Sequence, residues 1–170
     1  MPELAELKLT SDFINRSVKD KIFHSVWKNP VHKGKEIKIS FPFSIDAVSR
    51  GKELMLRITT ADVFVTEESI EYLPLMMTMG MSGHFQWSQI SEKPKHTHLS
   101  FDCEEGSLCF VDVRRFGRWQ FGWWNTSRGP DPTLDFSNFK KNIEEKGFGG
   151  REFKKPIHEV LMNQSFFNGI

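Results

Sequence analysis

Only two cysteines, Cys103 and Cys109, occur among 170 residues. That is too few for a four-thiolate zinc site and too few for the bridges of a small secreted scaffold. At this length one domain buries enough apolar surface to stand without staples, so the chain reads as reduced and intracellular. No run reaches the ~18 consecutive apolar residues of a membrane span, and none joins a basic start to the apolar stretch of a signal peptide. A soluble chain with no membrane partner is expected. Charge of one sign is lacking too: the formal net charge is +1, so no overall excess of Lys and Arg announces a polyanionic partner. Such a partner must be read from local clusters. Internal repeats and low-complexity tracts are also missing.

What is present begins with a helical period. Leu7, Ile14 and Val18 recur at helix spacing, which predicts a helix from Glu3 to about Lys19, with Pro2 and Glu3 suited to its first turn. The period then shortens to two. Ile37, Ile39, Phe41 and Phe43 alternate in EIKISFPF, as do Leu54, Leu56 and Ile58 in ELMLRITT, the mark of half-buried strands. Further strand-like runs are VFV, PLMMTM, HLSFDC and LCFVDV, the last two forming a hairpin across Glu104 to Ser107. An antiparallel β-sandwich or barrel follows from this pattern.

Proline, glycine and aspartate concentrate in NTSRGPDPTLD, which predicts a linker and divides the chain into 1–130 and 131–170. Beyond it, Phe136, Phe139 and Ile143 predict a helix ending at Gly147, and Pro156 opens another with Ile157, Val160 and Leu161. The predicted class is α+β: an N-terminal antiparallel β-sandwich with a leading α-helix, then the first helices of an incomplete helical domain. A closing helix and a stub bury little by themselves.

Four segments carry residues suited to chemistry. In MPELAELKL, loss of Met1 before a small residue leaves the secondary amine of Pro2 free. An α-amino group titrates about two units or more below a lysine, so more of it is nucleophilic near neutrality. Glu3 and Glu6, one turn apart, stand beside it as candidate acids. The same residues also suit an ordinary helix start. In SRGKELML, Gly51 permits a tight turn and Lys52 follows it into a strand, placed for a phosphate or for solvent. In MGMSGHF, glycines flank Met81 and Ser82, which suits a projecting apolar tip, although methionine also fills cores.

The fourth segment, DVRRFGRW, interleaves Arg114, Arg115 and Arg118 with Phe116 and Trp119. Guanidinium forks pair with phosphates or base edges, and an exposed ring stacks on a base or wedges between two. A solvated charged turn with one buried ring has the same letters. The histidines of KHTHLSF, His96 and His98, alternate along one strand with no Cys or carboxylate at a completing distance, so they read as surface polar residues and no metal is expected. Cys103 and Cys109 read as small core residues.

Together MPELAEL, SRGKEL, MGMSGHF, VDVRRFGRW and the closing LMNQSFFNGI resemble the formamidopyrimidine-DNA glycosylase and endonuclease VIII family, and within it the animal endonuclease VIII-like branch. The similarity runs through essentially the whole chain in the family's order. It implies a base-excision-repair DNA glycosylase with AP lyase activity, needing no cofactor, acting as a monomer on damaged double-stranded DNA in the nucleus, with the mitochondrion as a second compartment. By that match Pro2 attacks C1′ of the damaged nucleotide and forms a Schiff base, and strand cleavage follows by β,δ-elimination. Glu3 protonates the sugar ring oxygen, Glu6 supports proton transfer or positions water, and Lys52 holds the neighbouring phosphate. Met81, Arg114 and Phe116 match the residues that fill the gap left by a flipped nucleotide, with Arg115 and Arg118 as further DNA contacts. The branch suggests oxidised pyrimidines and ring-opened purines as lesions.

The chain departs from the family at its end. Family members continue through a helix–two-turn–helix motif and a zinc finger or a zinc-free equivalent, whereas this sequence stops at Ile170, before the glycine and asparagine that bind phosphate there. Asn168 belongs to the preceding FFNG and is a different residue. Weak DNA affinity is expected of so short a chain, since lost phosphate contacts remove salt-dependent binding energy. Two rivals compete with the enzyme: a catalytically silent DNA-binding or interaction fragment, and a tautomerase using an N-terminal proline as base. The second class runs from its proline straight into a strand, whereas ELAELKLTSDFINRSV reads as a helix.

Overall fold

The structure is a computed structural model, and it describes residues 2–60, 72–146 and 148–169. The run VFV, Met1, Gly147 and Ile170 lie outside the described residues. Helix α1 spans Leu4–Val18, and its buried Leu7, Ser11, Ile14 and Val18 fall on one face, as the apolar period requires. Among the described residues eight strands follow: β1 (Phe23–Lys28), β2 (Phe43–Arg50), β3 (Glu53–Thr60), β4 (Leu73–Thr78), β5 (His84–Ser88), β6 (Thr97–Cys103), β7 (Gly106–Val111) and β8 (Arg118–Phe121). Among the described residues two α-helices come after β8, α2 (Phe136–Lys146) and α3 (Ile157–Leu161).

All neighbouring strands are antiparallel, in the order β5-β7-β6-β1-β2-β3-β4-β8. The sheet has a seam. β1 meets β2 at a single register pair, Phe23 with Phe43, while β2 and β3 pair along their whole length. At that seam the sheet folds over, bringing its two ends together: Phe110 of β7 lies edge-on to Trp119 of β8 at 6.2 Å between ring centroids. The predicted sandwich is therefore one continuous sheet closed on its own core. Phe23, Phe43 and Phe101 fill the fold line with mutual ring distances of 5.6 to 6.5 Å, Phe23 stacking on Phe43 and Phe101 standing edge-on to both, arrangements that suit the ring quadrupoles.

Several sequence expectations need correction. EIKISF is not a strand; β2 starts at Phe43. Ile37 and Ile39 do pack partly buried against the core, so the alternation marked a real inward face. The segment joins no hydrogen-bonded ladder, and Pro42 has no N–H to give one. His98 is no surface residue: β6 lies inside the sheet, and His98 is buried against His32 at 5.0 Å between rings. His96 precedes the strand with φ of 66°. Strands β1, β5 and β8 were not foreseen, because FHSVWK, HFQWS and RWQF are short and polar on their outer faces. The helix carrying Phe136, Phe139 and Ile143 forms, but Phe136 is exposed and the buried residue is Asn142.

α1 lies on β2 in a fixed direction. Asn15 uses its amide as a mimic of a strand, donating Nδ2 to the Ala47 carbonyl at 2.9 Å and accepting from the Ala47 N–H at 2.7 Å. Ser11 meets Ser49 at 3.4 Å, and Glu3 meets Lys52 at 3.3 Å. Going back along the helix from Asn15 to Ser11 covers about 6 Å, and going forward along the strand from Ala47 to Ser49 covers about 7 Å. The two lengths match, so the helix N-terminus is delivered to the β2–β3 turn.

Candidate active site

At that turn, Glu3 caps α1 and its own N–H donates to Glu6 Oε2 at 3.0 Å. One acid therefore orients the other. Pro2 precedes the cap, half-buried. Lys52 points its Nζ to within 3.3 Å of Glu3 Oε1, its side chain only 9% exposed while that of Glu3 is 57% exposed. The ammonium is thus held from below, and the carboxylate faces outward. Pro2, Glu3, Glu6 and Lys52 are all brought together.

The turn that presents Lys52 is held by residues from much later in the chain. Gly51 takes φ of 56°, and its N–H donates to Asp131 Oδ2 at 2.7 Å. The Lys52 N–H donates to Asn168 Oδ1 at 3.3 Å. Asn168 is fully buried and also donates Nδ2 to the Gly129 carbonyl at 3.0 Å. The Leu4 N–H donates to the Gly169 carbonyl at 3.0 Å, satisfying an orphan donor of the first helical turn. A Cβ on Gly51 would sit 2.1 Å from Asn168 Oδ1, so the close approach demands glycine there. Residues on both sides of position 130 therefore build one corner.

The second cluster lies on two loops, 79–83 and 112–117. Met81 and Phe116 are 64% and 54% exposed, whereas Trp119 is buried, so the fourth segment has one outward ring and one inward. Arg114 joins the two tips: its guanidinium lies 4.9 Å over the Phe116 ring, and its Nη1 reaches Met81 Sδ at 3.5 Å. Arg115 and Arg118 are exposed, Arg115 with φ of 57°, a conformation uncommon for a residue with a Cβ. Met81, Arg114 and Phe116 are thus brought together, apart from the Pro2 corner.

Beneath these tips sits a residue the sequence reading passed over, Asp112. Its side chain, fully buried, accepts the Ser82 hydroxyl in a short hydrogen bond, the Gly117 N–H at 2.7 Å and the Arg114 N–H at 3.2 Å. Burial alone would raise this carboxyl, but the Ser82 hydroxyl and the amides of Gly117, Arg114 and Phe116 outweigh it and hold it below the usual carboxylate range. One charge therefore clamps both loops. The only sequence signal was an Asp beside an arginine-rich turn, which is ordinary on a surface. Among the described residues no group of three or more His, Cys, Asp or Glu is placed to hold a metal, and no helix is long and apolar enough to cross a membrane.

Residues 1–119 match the formamidopyrimidine-DNA glycosylase N-terminal domain. The chain belongs to this family. Over the full chain it is 38% identical to endonuclease 8-like 1 of Mus musculus and of Homo sapiens, spanning 45% of the length of each, and 29% identical to a formamidopyrimidine-DNA glycosylase of Exiguobacterium sibiricum, spanning 62% of it. The chain thus covers about half the length of the animal relatives it matches. Its fold is that of the glycosylase of Lactococcus lactis crystallised without covalent attachment to DNA containing an AP site, with a TM-score of 0.72 at 21% identity, covering 99% of this chain and 65% of that one. A Thermus thermophilus family member gives 0.70 at 20% identity, with 99% and 60% covered.

Within the family's fold, the signals that sequence reading missed are long-range ones. Asn15, Asp131 and Asn168 act through partners 32, 80 and 116 positions away, and no local spacing announces such pairs.

Proposed function

We propose that this family member carries the chemical half of a DNA glycosylase with AP lyase activity, acting on oxidised bases in duplex DNA. The observation that carries the reading is the 3.3 Å contact of Lys52 Nζ with Glu3 Oε1 beside Pro2. It joins a nucleophilic amine, an acid and a cation at one helix start. Relatives that share the fold include a glycosylase crystallised on AP-site DNA, which supports the substrate class.

The steps follow from the chemistry of the groups. The Pro2 nitrogen lone pair attacks C1′, and the glycosidic C–N bond breaks with its electrons leaving on the base, which takes up a proton. Glu3 takes up the proton that the proline nitrogen sheds and gives it to O4′ as the C1′–O4′ bond opens, leaving an iminium between C1′ and the proline nitrogen. Loss of a C2′ proton expels the 3′ phosphate, and loss of a C4′ proton expels the 5′ phosphate. Water then hydrolyses the iminium, with Glu6 positioning it through its link to Glu3. Lys52 exchanges Glu3 for a strand phosphate, which frees the Glu3 carboxyl to face the sugar and places a cation where leaving-group charge develops. Phe116 and Met81 replace lost stacking, and Arg114 satisfies the partner base. The chain works as a monomer in the nucleus, with the mitochondrion as a second compartment.

The test is borohydride trapping on an oligonucleotide with an abasic site. The Met1-free chain is expected to give a covalent adduct that is lost when Met1 is retained. No adduct from a folded, Met1-free chain overturns the enzymatic reading in favour of a catalytically silent DNA-binding fragment.

A further inference from the structure

Two imidazoles lie in contact next to the clamp that holds the projecting tips, and both are buried. The rings of His32 and His98 stand 5.0 Å apart, and His32 stacks on Trp119 at 4.4 Å. Trp119 Nε1 in turn donates to the Lys35 carbonyl at 2.8 Å. A Cβ on Gly34 would meet the Trp119 ring at 2.6 Å, so this segment lies tight on the indole. On the other side, His98 Nε2 donates to the Asp112 carbonyl at 3.0 Å. Asp112 is the residue whose carboxylate fastens Ser82, Arg114 and Gly117, so the pair holds the main chain of the clamp itself.

The hydrogen bonds also fix the charge of both rings. The Gly34 N–H donates to His32 Nδ1 at 2.9 Å, which requires a bare nitrogen there and puts the single ring proton on the buried Nε2. In His98 the proton is on Nε2, facing the Asp112 carbonyl, and Nδ1 is buried with no hydrogen-bond partner among the described residues. A second proton would go to His32 Nδ1, against the Gly34 N–H, or to His98 Nδ1, where no acceptor meets it. Lys28, at the end of β1, repels a proton on His32, while Arg115 in the tip loop and His96 ahead of β6 repel one on His98. Asp112 attracts both, and the Lys33 and Lys35 side chains are exposed. Burial is the largest influence on each ring, and it holds both below the ordinary imidazole value of 6.5.

We propose that His32 and His98 are positioning residues that form a pH-sensitive fastening of the tips, holding Phe116 and Arg114 in place while both rings are neutral and releasing them when the pair takes up a proton. What the release does to DNA binding rests on the functional reading above. The sign is definite: the contribution of neutral rings is complete above the ordinary imidazole value and is lost as pH falls from it toward the lower folded value. Asp112 titrates in a separate window, since its carboxyl lies below 3.8. Mild acid therefore loosens the tips while the carboxylate clamp is still charged, and it leaves the hydrogen bonds of the Pro2 corner untouched.

The test is NMR of the imidazole nitrogens and of amide exchange in the 170-residue chain across a pH series, with fluorescence anisotropy on a duplex carrying one tetrahydrofuran abasic analogue. In neutral buffer both rings are expected as Nε2–H tautomers. On acidification they are expected to titrate in step below 6.5, and the Gly34, Arg114 and Gly117 amides to lose exchange protection through the same midpoint. Wild type is expected to bind about tenfold more tightly than F116A in neutral buffer, and the two to converge once the pair is charged. Taking the ratio cancels the positive charge that both proteins gain in acid. H32F/H98Q keeps a ring on Trp119 and an amide donor for the Asp112 carbonyl, has nothing to titrate there, and is expected to hold the ratio against its own F116A form constant. The proposal is overturned by rings that titrate at the ordinary value, by rings still neutral where carboxylates protonate at about 4, or by a midpoint without loss of protection, none of which needs a variant to fold. A ratio unchanged across the midpoint, or an H32F/H98Q ratio that falls as in wild type, overturns it too. Equal affinity of wild type and F116A in neutral buffer sinks the gap-filling reading alone, and amide exchange then still decides the fastening.

Discussion

The Pro2 corner and the Met81–Phe116 tips are fastened in opposite ways. The corner depends on distant sequence: Asp131, Asn168 and Gly169 hold Gly51, Lys52 and Leu4 by hydrogen bonds. The tips depend on their own surroundings: Asp112, Ser82 and the Gly117 amide close the two loops inside the sandwich. A Cβ on Gly80 would lie 2.9 Å from the Gly117 nitrogen, so those loops pack backbone to backbone. The difference teaches that gap-filling and chemistry can be damaged separately, since no hydrogen bond described above joins one fastening to the other.

The comparison breaks most completely at Pro2. Retaining Met1 is expected to abolish the trapped adduct while leaving duplex affinity in anisotropy unchanged, because only the amine is lost. Next in size is Asp112→Asn. A buried carboxylate that accepts three donors is replaced by a group that cannot accept them all, which costs about 3 kcal/mol in denaturant unfolding. Its pH signature has a definite sign. The folded-state carboxyl lies below its ordinary value, so its contribution is complete above the unfolded-state value and is lost as pH falls through the folded one. The variant is expected to show a shallower acid decline than wild type, with trapping on single-stranded abasic DNA retained.

A smaller effect sharpens the other side. Asn168→Ala leaves the Gly129 carbonyl and the Lys52 N–H without their buried partner and is expected to cost about 2 kcal/mol. It should slow trapping and leave the contribution of Phe116 to duplex binding intact. Smallest is Phe116→Ala, which removes one exposed ring. About 1–2 kcal/mol of stacking is lost, read as a roughly tenfold weaker Kd with no change in melting temperature. A fall in trapping on single-stranded abasic DNA in that variant would couple the two regions against the account.

The legibility of the sequence follows the same division. Local chemistry was readable: the α1 stripe, the Gly51–Lys52 turn, the hairpin from β6 to β7 and the Met81 tip stand where period and turn residues put them. Periodicity failed where inward-facing residues lie outside a ladder, as with Ile37 and Ile39 before Pro42. It failed again where a polar residue is buried by topology, as with His98 and Asp112. The four residues at the corner were legible as types, but their meeting was not, because it needs the match in length between helix and strand that Asn15 and Ala47 set.

The most direct measurement is to digest the borohydride-reduced adduct of the Met1-free chain and locate the sugar remnant by mass spectrometry. The account predicts the added mass on the peptide that begins with Pro2, on its terminal nitrogen. Finding it on Lys52 instead would contradict the central claim, since the lysine would then be the nucleophile and the proline only the start of a helix.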